Sequence, residues 1–304
     1  MISREEKSKP IIEKMEKEEK REKQHRYLFR VFLIFFFLTF FVVGFFCYMR
    51  FIGTSGLVVR EYKVVDNMLP TSFHGFKIVH FSDLHYQSTF DYSDLKHLVN
   101  EINRLKPDVV VFTGDLTDQD TLIQEEDIEA LKEQLNQIEA TTGLYAVRGN
   151  HDYANNTFDL VFQNTSFKIL DNNYDLIYSH GTTPILITGI GSMLQNDDDI
   201  AQAFNYIDSE TLYTISLFHE PDMIDTIKNY NHVNLALSGH SHNGQIVIPK
   251  IGAIMTVEGA RKYPNPYYQI GDTKLYVSGG LGTSLYKLRL FNRPSINLYR
   301  LVEE

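Results

Sequence analysis

The longest uninterrupted apolar run in the chain is Val31 to Met49, 19 residues without a charge, eight of them phenylalanine. About 20 such residues span the hydrocarbon core of a bilayer. The run is apolar on every side, so it has no polar face to turn to water. Arg30 and Arg50 flank it and can snorkel to the two interfaces. A cleaved signal peptide fits less well, because the preceding region is too long and no A-x-A site follows. The pattern therefore predicts one transmembrane helix over residues 28–50, after a charged tail over 1–27. Within the tail, Glu13/Lys17, Glu16/Lys20 and Glu19/Lys23 are spaced i,i+4 with Glu first, which favours helix. No apolar stripe gives that helix a packing partner, and a solvated, frayed segment is expected.

Beyond Gly56 the pattern changes to short apolar runs separated by polar loops, expected to form one domain over 57–304. Leu57 to Val65, Phe76 to Phe81, Val109 to Phe112 and Leu144 to Val147 read as strands, the last three as buried ones. Leu95, Leu98, Val99, Ile102 and Leu105 recur at helical spacing and stop before Pro107. A second helix is expected near Leu122–Ile138. Later strands are expected at Ile185–Gly189, Thr214–Phe218, Val233–Leu237, Gln245–Ile248, Leu275–Val277 and Ile296–Leu301. Early alternation of strand and helix predicts an α/β domain, and the strand-rich second half predicts a second sheet.

Charge sharpens this division. Residues 1–30 hold ten Lys/Arg and seven Glu, whereas the whole chain is at -10, which leaves -13 for the remainder. The excess of basic residues just before the span places the N-terminus in the cytoplasm and the domain outside, at the plasma membrane. An acidic domain argues against nucleic acid as a partner, since a phosphate backbone is met by a basic stripe. The single cysteine, Cys47, lies in the apolar run, which excludes an intrachain disulfide and any cysteine-built site.

Chemistry-bearing residues gather where the expected strands end. Asp83 and His85 follow the Phe76 run, Gly114-Asp115 the Val109 run, and Gly149-Asn150-His151-Asp152 the Leu144 run. His219 follows Thr214–Phe218, and Gly239-His240-Ser241-His242 follows Leu235–Leu237. Strand ends are where an α/β sheet presents its ligand-binding loops. Asp, Asn and His together suit Mn, Fe or Zn.

In order, these five pieces resemble the calcineurin-like metallophosphoesterase superfamily: D-x-H, G-D, G-N-H-D, a lone His, then G-H-x-H. The phrases His219-Glu220-Pro221-Asp222 and Ser238 to Gln245, with Arg289 and Arg293-Pro294, are similar to its membrane-associated bacterial subgroup with lipid-linked substrates. Asn243 stands where that subgroup usually has Gly, and Gly191-Ser192 where it often has an acid. The resemblance implies an α/β four-layer sandwich of two mixed β-sheets flanked by helices, over about 57–301. It also implies two divalent metal ions. Carried over by position, Asp83, His85 and His242 hold the first, Asn150, His219 and His240 the second, and Asp115 bridges both. His151 is implied as the general acid, held by Asp152.

Other polar residues carry plainer expectations. His25, His74, His80, His97, His180 and His232 read as structural. Arg148 and Arg289 either help hold a phosphate or form structural ion pairs, and Tyr153 either lines the site or packs. The run Asp197–Asp199 reads as a loop or helix start. The expectation for function is a membrane-anchored phosphoesterase acting on a phosphate ester or pyrophosphate, in a lipid or lipid-linked substrate at the membrane. A general phosphatase tethered for localisation and a non-catalytic metal-binding scaffold are the alternatives.

Overall fold

Strand after strand of this domain is buried on both faces, as its near-continuous apolar runs require. The structure is a computed structural model that describes residues 4–206 and 211–304, so the first three residues of the expected tail lie outside it. Helix α1 (Arg4–Cys47) runs through the tail and the apolar run without interruption, and the chain continues in helical turns to Ile52. It is long and apolar enough to cross a membrane. The tail is thus helical rather than frayed over its described length. One anticipated pair, Glu19 with Lys23, closes at 2.7 Å, and Arg26 adds a contact to Glu22.

From Met49 onward the chain forms a separate compact unit. Its first sheet has the order β1-β14-β2-β3-β4-β5, with β1 (Val58–Asp66), β2 (Lys77–Phe81), β3 (Val109–Thr113), β4 (Gly143–Val147), β5 (Phe167–Ile169) and β14 (Ser295–Glu303). The second has the order β12-β13-β9-β8-β7-β6, with β6 (Asn173–Ile177), β7 (Ile185–Gly189), β8 (Thr214–Leu217), β9 (Leu235–Ser238), β12 (Tyr267–Ile270) and β13 (Thr273–Val277). Strands β2 to β5 run parallel in one sheet, and β7, β8, β9 and β13 run parallel in the other. Each sheet also holds an antiparallel pairing, β14 on β2 and β6 on β7 among them.

Three apolar layers place the sheets. Ile78, Val109 and Val111 meet Ile185, Ile187, Ile215 and Leu235 between the sheets. The alternate residues Val79, Phe81, Val110 and Phe112 face helices α2 (Tyr92–Leu105), α3 (Glu125–Leu135) and α4 (Thr157–Phe162). Ala236, Leu275 and Val277 face α5 (Ile200–Ala203) and α6 (Ile224–Ile227). The order is helix, sheet, sheet, helix, the expected four-layer α/β sandwich. Helix α2 begins where Asp91 accepts from the Ser93 and Asp94 amides and ends at Lys106, just before Pro107. Helix α3 is shorter than the expected Leu122–Ile138, starting at Glu125 and stopping at Leu135, with Leu122 outside it and facing water. The last strand, expected with the second sheet, lies in the first between β1 and β2. There β14 buries Ile296 and Leu298 towards the helices and Tyr299 and Leu301 between the sheets.

His80 on β2 is a structural histidine, as expected. It is fully buried, with Nδ1 3.2 Å from the Tyr299 hydroxyl and Nε2 2.8 Å from Thr113 Oγ1. Burial pushes its pKa down to about 3. The unfolded chain takes up this proton near pH 6.5 and the folded chain does not, so stability falls as pH drops from about 6.5 towards 3. Between pH 6 and 4, His80→Gln is expected to flatten the stability-versus-pH slope by about 1 kcal/mol per pH unit. Urea unfolding across that range reads the difference, and parallel slopes for the two proteins would refute it.

Candidate metal centre

Because β2, β3 and β4 run parallel in one sheet and β8 and β9 in the other, their C-terminal ends deliver five loops to one edge of the sandwich. Two groups of metal-binding atoms meet there: Asp83, His85 and His242, and Asp115, His219 and His240, each within 4.8 Å and fully or nearly buried. One oxygen, Asp115 Oδ2, links them. It lies 3.1 Å from His219 Nε2, 3.7 Å from His85 Nε2 and 3.8 Å from His151 Nε2. Asp83 Oδ1 reaches across in turn, 3.5 Å from His242 Nε2 and 3.9 Å from His219 Nε2.

Glycine makes this proximity possible. Gly114 has φ +89°, and a Cβ there would strike the backbone of Gly149, while a Cβ on Gly149 would strike the Asp115 carboxylate and the His219 ring. The side chains themselves sit on strained backbone: Asp83, His85, Asp115, His240 and His242 all have positive φ, between 39° and 65°. Such strain persists where the surroundings over-determine it, and it concentrates at functional sites.

Partners outside the cluster aim the rings into it. His219 Nδ1 is 2.6 Å from the Thr113 carbonyl and His240 Nε2 is 2.6 Å from the Glu258 carbonyl, so each of these nitrogens must carry the proton. In the neutral rings the opposite nitrogen, Nε2 of His219 and Nδ1 of His240, carries the lone pair. Asp118 Oδ1 lies 2.7 Å from His85 Nδ1, a close ion-pair contact that raises the basicity of the third ring. Asp118 was not anticipated, although its position three residues after Asp115 in the same loop was a visible signal.

Electrostatics in the cluster follow from close, dry charges. Burial works to raise Asp115, but His219, His151 and His85 outweigh it and hold the carboxyl well below its usual range. Burial works to lower His219, but Asp115 and Asp83 raise it well above the ordinary histidine value. Proton and cation compete for the same atoms in such a site. Two further atoms bear on whether metals fit: Asn150 Oδ1 is buried without a hydrogen-bond partner among the described residues, and His219 Nε2 has Asp115 Oδ2 at 3.1 Å but not in hydrogen-bond geometry. His85 Nε2 and His242 Nε2 lie 3.0 Å apart, within hydrogen-bond distance, and Arg289 Nη2 donates to His242 Nδ1 at 3.3 Å, so both Nε2 atoms are turned to one point. Two divalent ions fit this donor set of carboxylate, amide and imidazole.

His151 lines a cavity of about 300 Å³ together with Asp115, Asn150, His240 and His242. Its Nδ1 accepts from the Gln119 amide at 3.1 Å, which leaves the neutral ring's proton on Nε2. The expectation that Asp152 holds His151 is corrected here. The Asp152 carboxylate accepts instead from the backbone amides of Gly149, Asp115 and Leu116 at 2.8, 2.8 and 2.9 Å, tying the β3 and β4 loops together. A buried carboxylate satisfied by three amides has no need of the imidazole, and the main-chain Gln119 takes that place.

The remaining open readings resolve towards structure. Arg148 pairs with Asp171 and Asp159, and the wholly buried Arg289 donates to the carbonyls of Gly279, Gly282 and Asn292; neither lines the cavity. Tyr153 donates to Asp197, and Asp199 caps α5 through the Gln202 amide. Ser192 Oγ donates to Glu220. Asn243 has φ 49°, the region a glycine would otherwise supply and one that Asn tolerates.

Comparison with known proteins agrees with this geometry. The family model for calcineurin-like phosphoesterase matches residues 76–244. The metallophosphoesterase YkuE of Bacillus subtilis is 33% identical over 84% of this chain and 88% of its own length. A transmembrane protein with metallophosphoesterase domain from Danio rerio is 30% identical over 77% of this chain, which spans 56% of that protein. The UDP-2,3-diacylglucosamine pyrophosphatase LpxG of Chlamydia muridarum is 28% identical over 79% of this chain and 88% of its own length. The ordered ligand motifs, the sandwich that carries them and these relatives agree: the chain belongs to the calcineurin-like phosphoesterase family and is a metal-dependent phosphoric ester hydrolase.

Proposed function

We propose that this chain is a single-pass plasma-membrane phosphoesterase, N-terminus cytoplasmic and catalytic domain outside, that hydrolyses a phosphate ester or pyrophosphate bond in a lipid or lipid-linked substrate. The observation that carries the hydrolytic part is the sharing of Asp115 between the two ligand groups beneath His151. Asp83, His85 and His242 would hold one ion, Asn150, His219 and His240 the other, with Asp115 common to both; Mn, Fe and Zn suit these donors. When bound, the ions supply Lewis-acid chemistry, neutralising charge on the phosphoryl oxygens and making water a nucleophile near neutral pH. The Thr113 and Glu258 carbonyls fix which nitrogen of His219 and of His240 carries the proton, Asp118 makes His85 more basic, and the metal-facing nitrogens are aimed inward. His151 donates the Nε2 proton to the departing oxygen.

The lipid part rests on the candidate span, on the few residues between it and β1, and on likeness to an enzyme named for a diacylated nucleotide sugar. Full-length protein in detergent is expected to carry about two divalent ions per chain and to hydrolyse bis-p-nitrophenyl phosphate. Chelation is expected to abolish turnover, and Mn, Fe or Zn to restore it. Turnover of a diacylated pyrophosphate in mixed micelles should then exceed that of its water-soluble analogue. Preference for the soluble ester would favour a tethered general phosphatase, and a metal-free, inert protein would favour a scaffold.

A further inference from the structure

We infer that the hairpin β10–β11 (Val247–Ile248 and Gly252–Ala253) and the loop 284–291 form an apolar lip that inserts into the bilayer holding α1, so that an amphiphilic phosphate ester enters the site from the membrane. The inference rests on the reading of α1 as a membrane span and of the centre as a phosphoesterase.

The first observation is exposure. Ile251 is 77% exposed, Leu285 75% and Phe291 66%, with Ile248, Ile254, Met255 and Tyr286 exposed beside them. These are not scattered residues. Val247 donates to Leu290 and Leu290 to Gln245 through the main chain, at 3.0 and 3.2 Å. The Gln245 side chain donates to the carbonyls of Tyr286 and Leu288 at 2.6 and 3.0 Å. Hairpin and loop are therefore one surface, and a contiguous exposed apolar surface marks an interaction or membrane site.

The second observation is continuity with the centre. Ile246 and Met255, which flank the hairpin, and Leu285 and Tyr286 of the loop line the cavity whose other wall is Asp115, Asn150, His151, His240 and His242. A cavity with ligand atoms on one side and an apolar rim open to the outside suits a phosphate carrying acyl chains.

Charge and position then choose the occupant. Residues 245–257 and 284–293 contain no Asp or Glu, but do contain Lys250, Lys287, Arg289 and Arg293, in a part of the chain whose net charge is -13. Lys250, Lys287 and Arg293 are exposed. Apolar side chains ringed by cations fit an interface with anionic headgroups. The Arg289 amide donates to the Met49 carbonyl at 3.1 Å, and a Cβ on Gly53 would overlap the Arg289 backbone. Met49 ends the uncharged run, so the loop is pinned to the residue at which the chain leaves the membrane. Leu285, four residues from Arg289, lies within roughly 14 Å of Arg289 even on an extended chain.

The chain contains no tryptophan, so an introduced one is a sole reporter. Full-length Ile251→Trp and Leu285→Trp in vesicles with brominated acyl chains should show quenched, blue-shifted emission. Tyr230→Trp, exposed in the turn that leads into the N-terminal end of β9, away from the centre at its C-terminal end, should not. Quenching of the lip reporters no stronger than that of Tyr230→Trp would overturn the inference and leave a soluble protein partner as the occupant. Ile251→Glu and Phe291→Glu, neither of which lines the cavity, should lower the ratio of vesicle-lipid to bis-p-nitrophenyl phosphate turnover about tenfold; an unchanged ratio would also overturn it. Quenching without hydrolysis of either substrate would uphold the lip and sink the phosphoesterase reading instead.

Discussion

Asp115→Ala is expected to reduce the metal content from about two ions per chain to one or fewer and to lower kcat/KM by at least about 10³-fold. The size follows from geometry. Asp115 Oδ2 is the atom that reaches both ligand groups, at 3.1 Å from His219 and 3.7 Å from His85. Removing it also leaves His219, His85 and His151 crowded around a buried space without the negative charge that balances them. Divalent ions contribute several kcal/mol of charge stabilisation in phosphoryl transfer, and each 1.36 kcal/mol is tenfold in rate. Asp115→Asn separates charge from shape, since its amide oxygen still accepts from the His151 main-chain amide as Oδ1 does now at 3.0 Å. If charge is what matters, Asn fails nearly as badly as Ala. Elemental analysis and bis-p-nitrophenyl phosphate hydrolysis check both variants, and a variant with two ions and activity within tenfold of wild type would remove Asp115 from the bridging position.

The parts of the fold that were legible in the sequence share a physical cause. Strands β2, β3, β4, β8 and β9 lie between two covered faces, so their residues are apolar in unbroken runs, and the site residues come directly after them. The edge strands β5 and β6 escaped notice because Phe167–Ile169 is too short for a pattern and Asn173–Ile177 mixes Asn, Tyr and Asp into it. Helices α5 and α6 are four residues each, little more than one turn of periodicity. The insertion of β14 between β1 and β2 pairs residues more than 200 positions apart, which no local pattern encodes. At the centre, residue type and order announced which side chains converge. They did not announce which atom each one faces: Asp152 turned to three amides, and the partner of His151 proved to be a main-chain N–H, which leaves no trace in residue identity.

That main-chain contact leads to the second large effect, for His151→Gln. The Gln119 amide occupies Nδ1, so the only proton a neutral His151 can give is on Nε2, at the cavity wall. A general acid contributes typically 10²–10⁴-fold, and it does so where the leaving oxygen is basic. An alkyl phosphate or lipid ester should therefore lose about 10²–10⁴-fold in kcat. A p-nitrophenyl ester, whose phenolate departs without a proton, should lose much less. Metal content should be unchanged, because neither ligand group includes His151. Equal losses on both leaving groups would instead mean that the ring stabilises charge on the phosphoryl group in the transition state without transferring a proton. Loss of an ion would make it a ligand or a structural support. Measuring both substrates and the metal on one preparation tells these roles apart, because only proton donation predicts a penalty that grows with the basicity of the oxygen that leaves.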